Sequence, residues 1–111
     1  MGAYTPKKGD FVALTFHPQA GHEQKGRRPA LIVSNDMFNR HTGMAIACPI
    51  TNTDRHYPFH VAVGEGLPIT GFVMVDQVKS TDFRARRAKR IGKAPDALLN
   101  EVLAVLDACM Y

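Results

Sequence analysis

Residues 29–50 read PALIVSNDMFNRHTGMAIACPI, and the reading of this stretch decides the fold. Its ends, 29–34 (PALIVS) and 43–50 (GMAIACPI), are short apolar runs bounded by turn formers, the pattern of buried strands rather than of an amphipathic helix. Pro29 opens the first run, where a strand tolerates proline, and Pro49 stands near the end of the second. Between them Ser34-Asn35-Asp36 resembles a helix cap ahead of a short helical stretch, 37–40.

Outward from this pair the pattern repeats. Upstream, residues 10–16 (DFVALTF) follow the turn signal Lys8-Gly9 and read as a first strand. Pro18 and Gly21 break it, and a polar loop runs on to Arg28. Downstream, 51–56 (TNTDRH) is polar loop, 57–63 alternates as a strand, 64–68 turns the chain, and 71–75 (GFVMV) is another buried strand. The basic stretch 84–91 is expected as the last strand, at a sheet edge. Then the period changes: from Pro95, Leu98, Leu99, Val102, Leu103, Val105, Leu106, Cys109 and Met110 recur at helical spacing. Several short strands around Gly/Pro turns, followed by one amphipathic helix, predict a small, partly open β-barrel covered by that helix.

At 111 residues and 45% hydrophobic composition the chain suits one globular domain over 1–111, with little room for a buried cofactor cavity. No apolar run approaches the roughly 20 residues that span a bilayer. The first ten residues are polar and carry no secretory core, so a cytoplasmic location is expected. Cys48 and Cys109 lie in apolar stretches and are expected as two reduced core thiols. The cysteines and five histidines contain no CxxC pair, and a structural zinc site is not expected.

The net charge of +4 is unevenly placed. Residues 79–93 hold seven basic side chains (Lys79, Arg84, Arg86, Arg87, Lys89, Arg90, Lys93) against one acid, Asp82, while Asp96, Glu101 and Asp107 make the end of the chain acidic. A one-sided basic segment favours polyanions, because each neutralised phosphate releases counterions. It also describes a solvated strand edge kept soluble by charge.

Three polar segments adjoin buried strands. The first, GHEQKGRRP (21–29), has two glycines for tight bends, and Pro29 holds Arg28 extended at a strand entrance. An arginine so anchored presents a planar fork to a phosphate, or pairs with Glu23 and merely pins the loop. The second begins at Thr51, whose hydroxyl donates to a phosphate oxygen or caps its turn. The third is Asp76-Gln77, where a carboxylate at a strand end acts as a base or holds an arginine.

The runs GHEQKGRRPALIV, NRHTGMAIACPITNT, YPFHV and GFVMVDQVKSTDFRARR together resemble the MazF/PemK family of toxin endoribonucleases. The resemblance extends from Gly9-Asp10 through the final helix. Its most specific elements are G-x-E-x-x-G-x-R-P, P-x-T, and DQ-x-K-S followed by R-x-R. TGM, YPF and DQVKS are closer to the MazF branch, whereas GHEQ and FNR are Kid-like. Where many relatives have tryptophan in the first strand, this chain has Val12 or Ala13.

That resemblance implies an SH3-like β-barrel with a C-terminal helix, working as a homodimer. It implies metal-independent, sequence-specific cleavage of single-stranded messenger RNA to 2′,3′-cyclic phosphate and 5′-hydroxyl ends, with no cofactor. A MazE-like antitoxin with an acidic C-terminal tail is the implied partner. Arg28 and Thr51 match the arginine and threonine regarded as catalytic in MazF members, and Glu23 matches a carboxylate close to them, as base or as orienter of Arg28. The Kid branch uses a histidine, an arginine and an aspartate. His22 and Asp76 keep two of these, but Met74 replaces the arginine, so His22 and Asp76 stand as second-line catalytic candidates whose favoured role is RNA positioning. Arg84 and Arg86 fall in the R-x-R segment that grips phosphates, with Gln24, Arg55, Gln77 and Lys79 along the RNA path. Two other readings remain: a CcdB-like toxin that poisons gyrase through the same barrel, and an RNA-binding module without activity.

Overall fold

The computed structural model describes residues 4–15 and 27–111. The strands are β1 (Asp10–Thr15), β2 (Arg27–Ile32), β3 (Met44–Thr51), β4 (His60–Ala62), β5 (Phe72–Met74), β6 (Lys79–Asp82) and β7 (Lys89–Lys93). Helix α1 (Asp36–Thr42) links β2 to β3, and α2 (Asp96–Met110) ends the chain. One turn of 3-10 helix, Val75–Gln77, follows β5. Every strand pair is antiparallel, along the path β4-β5-β3-β2-β1-β7, with β6 also on β3.

Strand β3 holds this sheet together. One edge pairs with β2, from Ile32↔Ala47 to Ala30↔Pro49. The other is shared: Met44 to Ala47 pair with β6, and Ile50 and Thr51 pair with β5. The change of partner falls at Cys48 and Pro49, and proline, lacking an N–H, has no ladder bond to donate there.

Both sheet faces are buried. Phe11, Leu31, Cys48, Ile50 and Val73 face one cluster, closed by Leu98, Leu99 and Val102 of α2. Val12, Leu14, Ala30, Ile32, Ala45 and Ala47 face a second, closed by Phe83. Sequence neighbours therefore enter opposite clusters, as the two-residue strand period requires. This double burial is why the strands read as unbroken apolar runs. Each fully buried Leu, Ile, Val or Phe contributes about 1.5–3 kcal/mol, enough for β2 and β3 each to outweigh its one proline.

The expected helices and core strands are present, although the strand read over 57–63 is confined to His60–Ala62. Asn35 caps α1, its side chain accepting from the Phe38 N–H at 2.9 Å, and Gly43 ends the helix in the left-handed conformation at φ 73°. Helix α2 starts after Pro95 and lays Leu98, Leu99 and Val102 on the core. The path ends at β4 and β7, which do not pair among the described residues, so the partly open barrel is a small open antiparallel sheet with a C-terminal helix.

Two expectations are corrected. Residues 84–91 are not one strand: residues 83–87 turn, and only Lys89–Lys93 pair with β1. The Asp82 carboxylate accepts from the Ala85 N–H at 3.0 Å, the Arg87 N–H donates to the Arg84 carbonyl at 3.0 Å, and buried Phe83 anchors the bend. The preceding strand β6 carries no apolar side chain and buries only Thr81, so its polar sequence concealed it. Second, Cys48 is a buried free thiol but Cys109 is exposed, because the last turn of α2 runs past its buried face.

Candidate nucleic-acid interface

Arg28 and Thr51 reach one site through strand register. The β2–β3 ladder ends at Ala30↔Pro49. Two residues further along each strand, on the same face, stand Arg28 and Thr51. Pro29 and Pro49 lack N–H groups at this point, so the ladder stops and the strand ends open into a cleft of about 770 Å³. Arg28, Thr51, Met74, Gln77, Lys79 and Arg86 line it, with Arg27 and the Asn52-Thr53 turn. Its described lining carries four cationic side chains and no carboxylate, a balance that suits a phosphate chain.

The cations are held differently. Arg27 is a structural clamp: its guanidinium donates to Thr15 Oγ1 at 2.8 Å, the Ala13 carbonyl at 3.2 Å and the Arg87 carbonyl at 2.9 Å. It thereby ties the start of β2 to the 83–87 turn, where Arg87 adopts φ 54°. Arg86 is half-buried, lines the cleft and donates to the Thr15 carbonyl at 3.2 Å. Arg28 is exposed, and its backbone is fixed by pairing with Leu14 on β1.

Thr51 caps its turn, one of the two readings its sequence position suggested. Its Oγ1 accepts from the Thr53 N–H at 3.2 Å, which orients the side chain and leaves the hydroxyl proton to donate. Gly71 stands directly behind it, at φ 120°. Thr70 Oγ1 donates to Asn52 Oδ1 at 3.0 Å and pins the same turn.

A second cleft of about 260 Å³ adjoins the first through Gln77 and is lined by Arg55, Tyr57, His60, Asp76 and Gln77. His60 Nε2 lies 3.1 Å from Asp76 Oδ1. Asp76 is thus beside the main cleft rather than in it. Arg84 sits on the exposed 83–87 turn and lines neither cleft. Glu23, His22 and Gln24 lie outside the described residues, as does any pairing of Arg28 with Glu23. His56 and His60 are four residues apart, but not on a helix, and no three metal-ligating side chains converge among the described residues. Sequence reasoning missed the Arg27 clamp, Gly71 and the partnership of His60 with Asp76. The φ preference of glycine before a strand could have flagged Gly71; the other two depend on contacts distant in sequence.

Fold and cleft together define a small antiparallel β protein with a C-terminal helix and a cleft whose described lining is cationic. A family profile described as "PemK-like, MazF-like toxin of type II toxin-antitoxin system" matches residues 7–110, and the chain belongs to that family. It is 42% identical to the endoribonuclease toxin MazF of Escherichia coli K12 over 99 residues, covering 88% of each chain. It is 38% identical to the endoribonuclease PemK of Escherichia coli over 108 residues, covering 94% of this chain and 81% of that one. Among solved structures it matches the MazE–MazF complex of Deinococcus radiodurans with a TM-score of 0.87 and 37% identity, over 97% of both chains.

Proposed function

We propose that this chain is the toxin of a type II toxin–antitoxin system and cuts single-stranded messenger RNA at specific sequences without a metal ion. The observation that carries the reading is the meeting of Arg28 and Thr51 in one cleft whose described lining is cationic. The naming of its 42% and 38% identical relatives as endoribonucleases supports the same activity.

In the reaction the substrate's 2′-oxygen bonds to the adjacent phosphorus as the bond from phosphorus to the 5′-oxygen breaks. The 2′-OH loses a proton, the 5′-oxygen gains one, and a 2′,3′-cyclic phosphate and a 5′-hydroxyl remain. DNA lacks the attacking group and binds uncut. Arg28 neutralises the charge of the crowded phosphorane, and the Thr51 hydroxyl donates to a non-bridging oxygen. Fixed donors of this kind are typically worth about 10²–10³ in rate each. Glu23 takes the role of base or of Arg28 orienter. Lys79 and Arg86 hold flanking phosphates; Arg55, Asp76, Gln77, His22, Gln24 and Arg84 serve the RNA path.

The working unit is a homodimer acting in the cytoplasm. Its partner is a MazE-like antitoxin whose acidic C-terminal tail occupies the groove; the groove's charge and the MazE–MazF complex among its structural relatives support this. The test is incubation of the purified protein with mixed single-stranded RNA in EDTA, followed by mapping and chemical typing of the new ends. Cyclic phosphate ends made by the wild type and lost in Arg28→Ala are expected. RNA left intact by the wild type overturns the nuclease reading.

A further inference from the structure

The smaller cleft has a different chemistry from the larger. It contains a carboxylate, which repels phosphate, together with an amide, a guanidinium and an aromatic ring. At about 260 Å³ it lies just below the roughly 300–1,000 Å³ of drug-sized ligand sites, so it suits one planar ring system rather than a whole nucleotide. Tyr57 offers that ring a stacking surface: it is 43% exposed and braced edge-on by Phe59 (ring centroids 5.4 Å apart) and His60 (5.1 Å).

Asp76 is unusually well fixed for a surface carboxylate. Its backbone lies in the 3-10 turn between Val75, which is fully buried, and exposed Gln77, and the Val75 N–H is tied to the Phe59 carbonyl at 3.1 Å. Its side chain is 31% exposed, whereas that of His60 is only 5% exposed. His60 Nδ1 is buried with no partner among the described residues. A proton on Nε2 gives Asp76 a donor and leaves Nδ1 as a bare acceptor. The opposite tautomer would bury an unpaired N–H and set two acceptors against each other. His60 is therefore a donor that orients one oxygen of Asp76, and its own ring has no nitrogen to offer a substrate. The second carboxylate oxygen remains to accept from a ligand.

We propose that this cleft is a nucleobase subsite in which Asp76, positioned by His60, accepts a hydrogen bond from the exocyclic amino group of adenine, cytosine or guanine. Uracil has no amino group, and its N3–H is flanked by two carbonyl oxygens that oppose the carboxylate. Gln77, which lines both clefts, places the selected base next to the phosphate held by Arg28 and Thr51. The subsite rests on the RNA-cleaving reading above, and it makes His60 a specificity-positioning residue rather than a catalytic one.

The test compares wild type, His60→Gln, His60→Leu and Asp76→Asn on a randomised single-stranded RNA, reading base frequencies around the cut. Wild type should disfavour uridine at one position adjoining the cut by about 5- to 150-fold, the range of a good base-edge contact. Asp76→Asn and His60→Leu should flatten that preference. His60→Gln, which can still present an N–H to Asp76, should restore it. A uridine preference equal to the other bases in wild type, or one unchanged in both Asp76→Asn and His60→Leu, overturns the proposal. If His60→Leu does not fold, Asp76→Asn alone decides, since its side chain is partly solvent-exposed. Binding of oligo-dC against oligo-dT reads the subsite without cleavage. Preference for dC that disappears in Asp76→Asn supports the subsite even if RNA is never cut. Cleavage without base discrimination sinks the subsite and leaves the nuclease standing.

Discussion

A Cβ placed on Gly71 would stand 2.3 Å from the carbonyl oxygen of Thr51 and 3.1 Å from Asn52 Oδ1, so the backbone of one residue is the wall against which the other is set. Gly71 also adopts φ 120°, a conformation essentially closed to other residues. Gly71→Ala should therefore displace the Thr51 turn, lower stability by about 1–3 kcal/mol and reduce RNA cleavage more than RNA binding. Thermal melting and single-turnover cleavage measure the two effects; an unchanged cleavage rate would show that Thr51 needs no such backing.

Arg28 makes the opposite prediction. Its side chain is exposed, so Arg28→Ala should leave the melting temperature nearly unchanged while cutting cleavage by about 10²–10³. Arg28→Lys should recover little of this, because a point charge lacks the planar fork. Full activity in the lysine variant would mean that charge alone is required.

The two arginines of the R-x-R segment should separate. Arg86 lines the main cleft and Arg84 does not. Arg86→Ala should lower the salt dependence of single-strand binding by about 0.7 in log–log slope, the contribution of one phosphate contact. It should also cost some stability through the lost bond to the Thr15 carbonyl. Arg84→Ala should do less to both. Binding titrations across salt concentrations check the order.

The cysteines should react unequally. Burial, and then the negative charge of Asp76, push the Cys48 thiol up to about 12. At pH 8 its thiolate fraction is on the order of 10⁻⁴, and the thiolate is the reactive form. Cys109 is exposed. A thiol reagent should label one cysteine quickly in the native protein and both in denaturant, and Cys109→Ser should abolish the fast reaction.

Alkaline stability should depend on Tyr4. Its hydroxyl donates to buried Asp10, which also accepts from the Lys7 N–H at 3.0 Å and from Arg90 Nε at 3.3 Å. Burial first, then this bond and the Asp10 charge, raise the phenol well above its ordinary value, while Arg90 pulls it down. In the unfolded chain the phenol ionises near pH 10, so above that pH the unfolded state releases a proton that the folded state retains. The stabilisation is complete below about pH 10 and drains away as the pH rises further. Tyr4→Phe should show a smaller loss between pH 9 and pH 11, followed by denaturant unfolding.

What the sequence could say about this molecule follows from how local each feature is. The runs flanking Asn35 and the helix after Pro95 were legible because burial and capping leave marks within a few residues. Strand β6 was not, since its four residues, Lys79–Asp82, place mostly polar side chains outward and owe their conformation to pairing with Met44 to Ala47. In the site, Arg28 and Thr51 were readable through family motifs, and the structure adds why they meet: adjacent strands in fixed register. His60 read only as part of an alternating strand, because its partner Asp76 is 16 residues away.

Strand β3 serves three neighbours at once, and the cleft opens where its partners change. The same strand thus carries foldability and, through Pro49, Ile50 and Thr51, part of the floor of the groove. Most substitutions there should be eliminated for failing to fold before their effect on ligand choice can be tested by selection. Divergence in target preference is consequently channelled into the positions around that floor, such as Asn52, Thr53, Arg55 and Tyr57. A toxin built this way can change what it recognises while inheriting how it cuts.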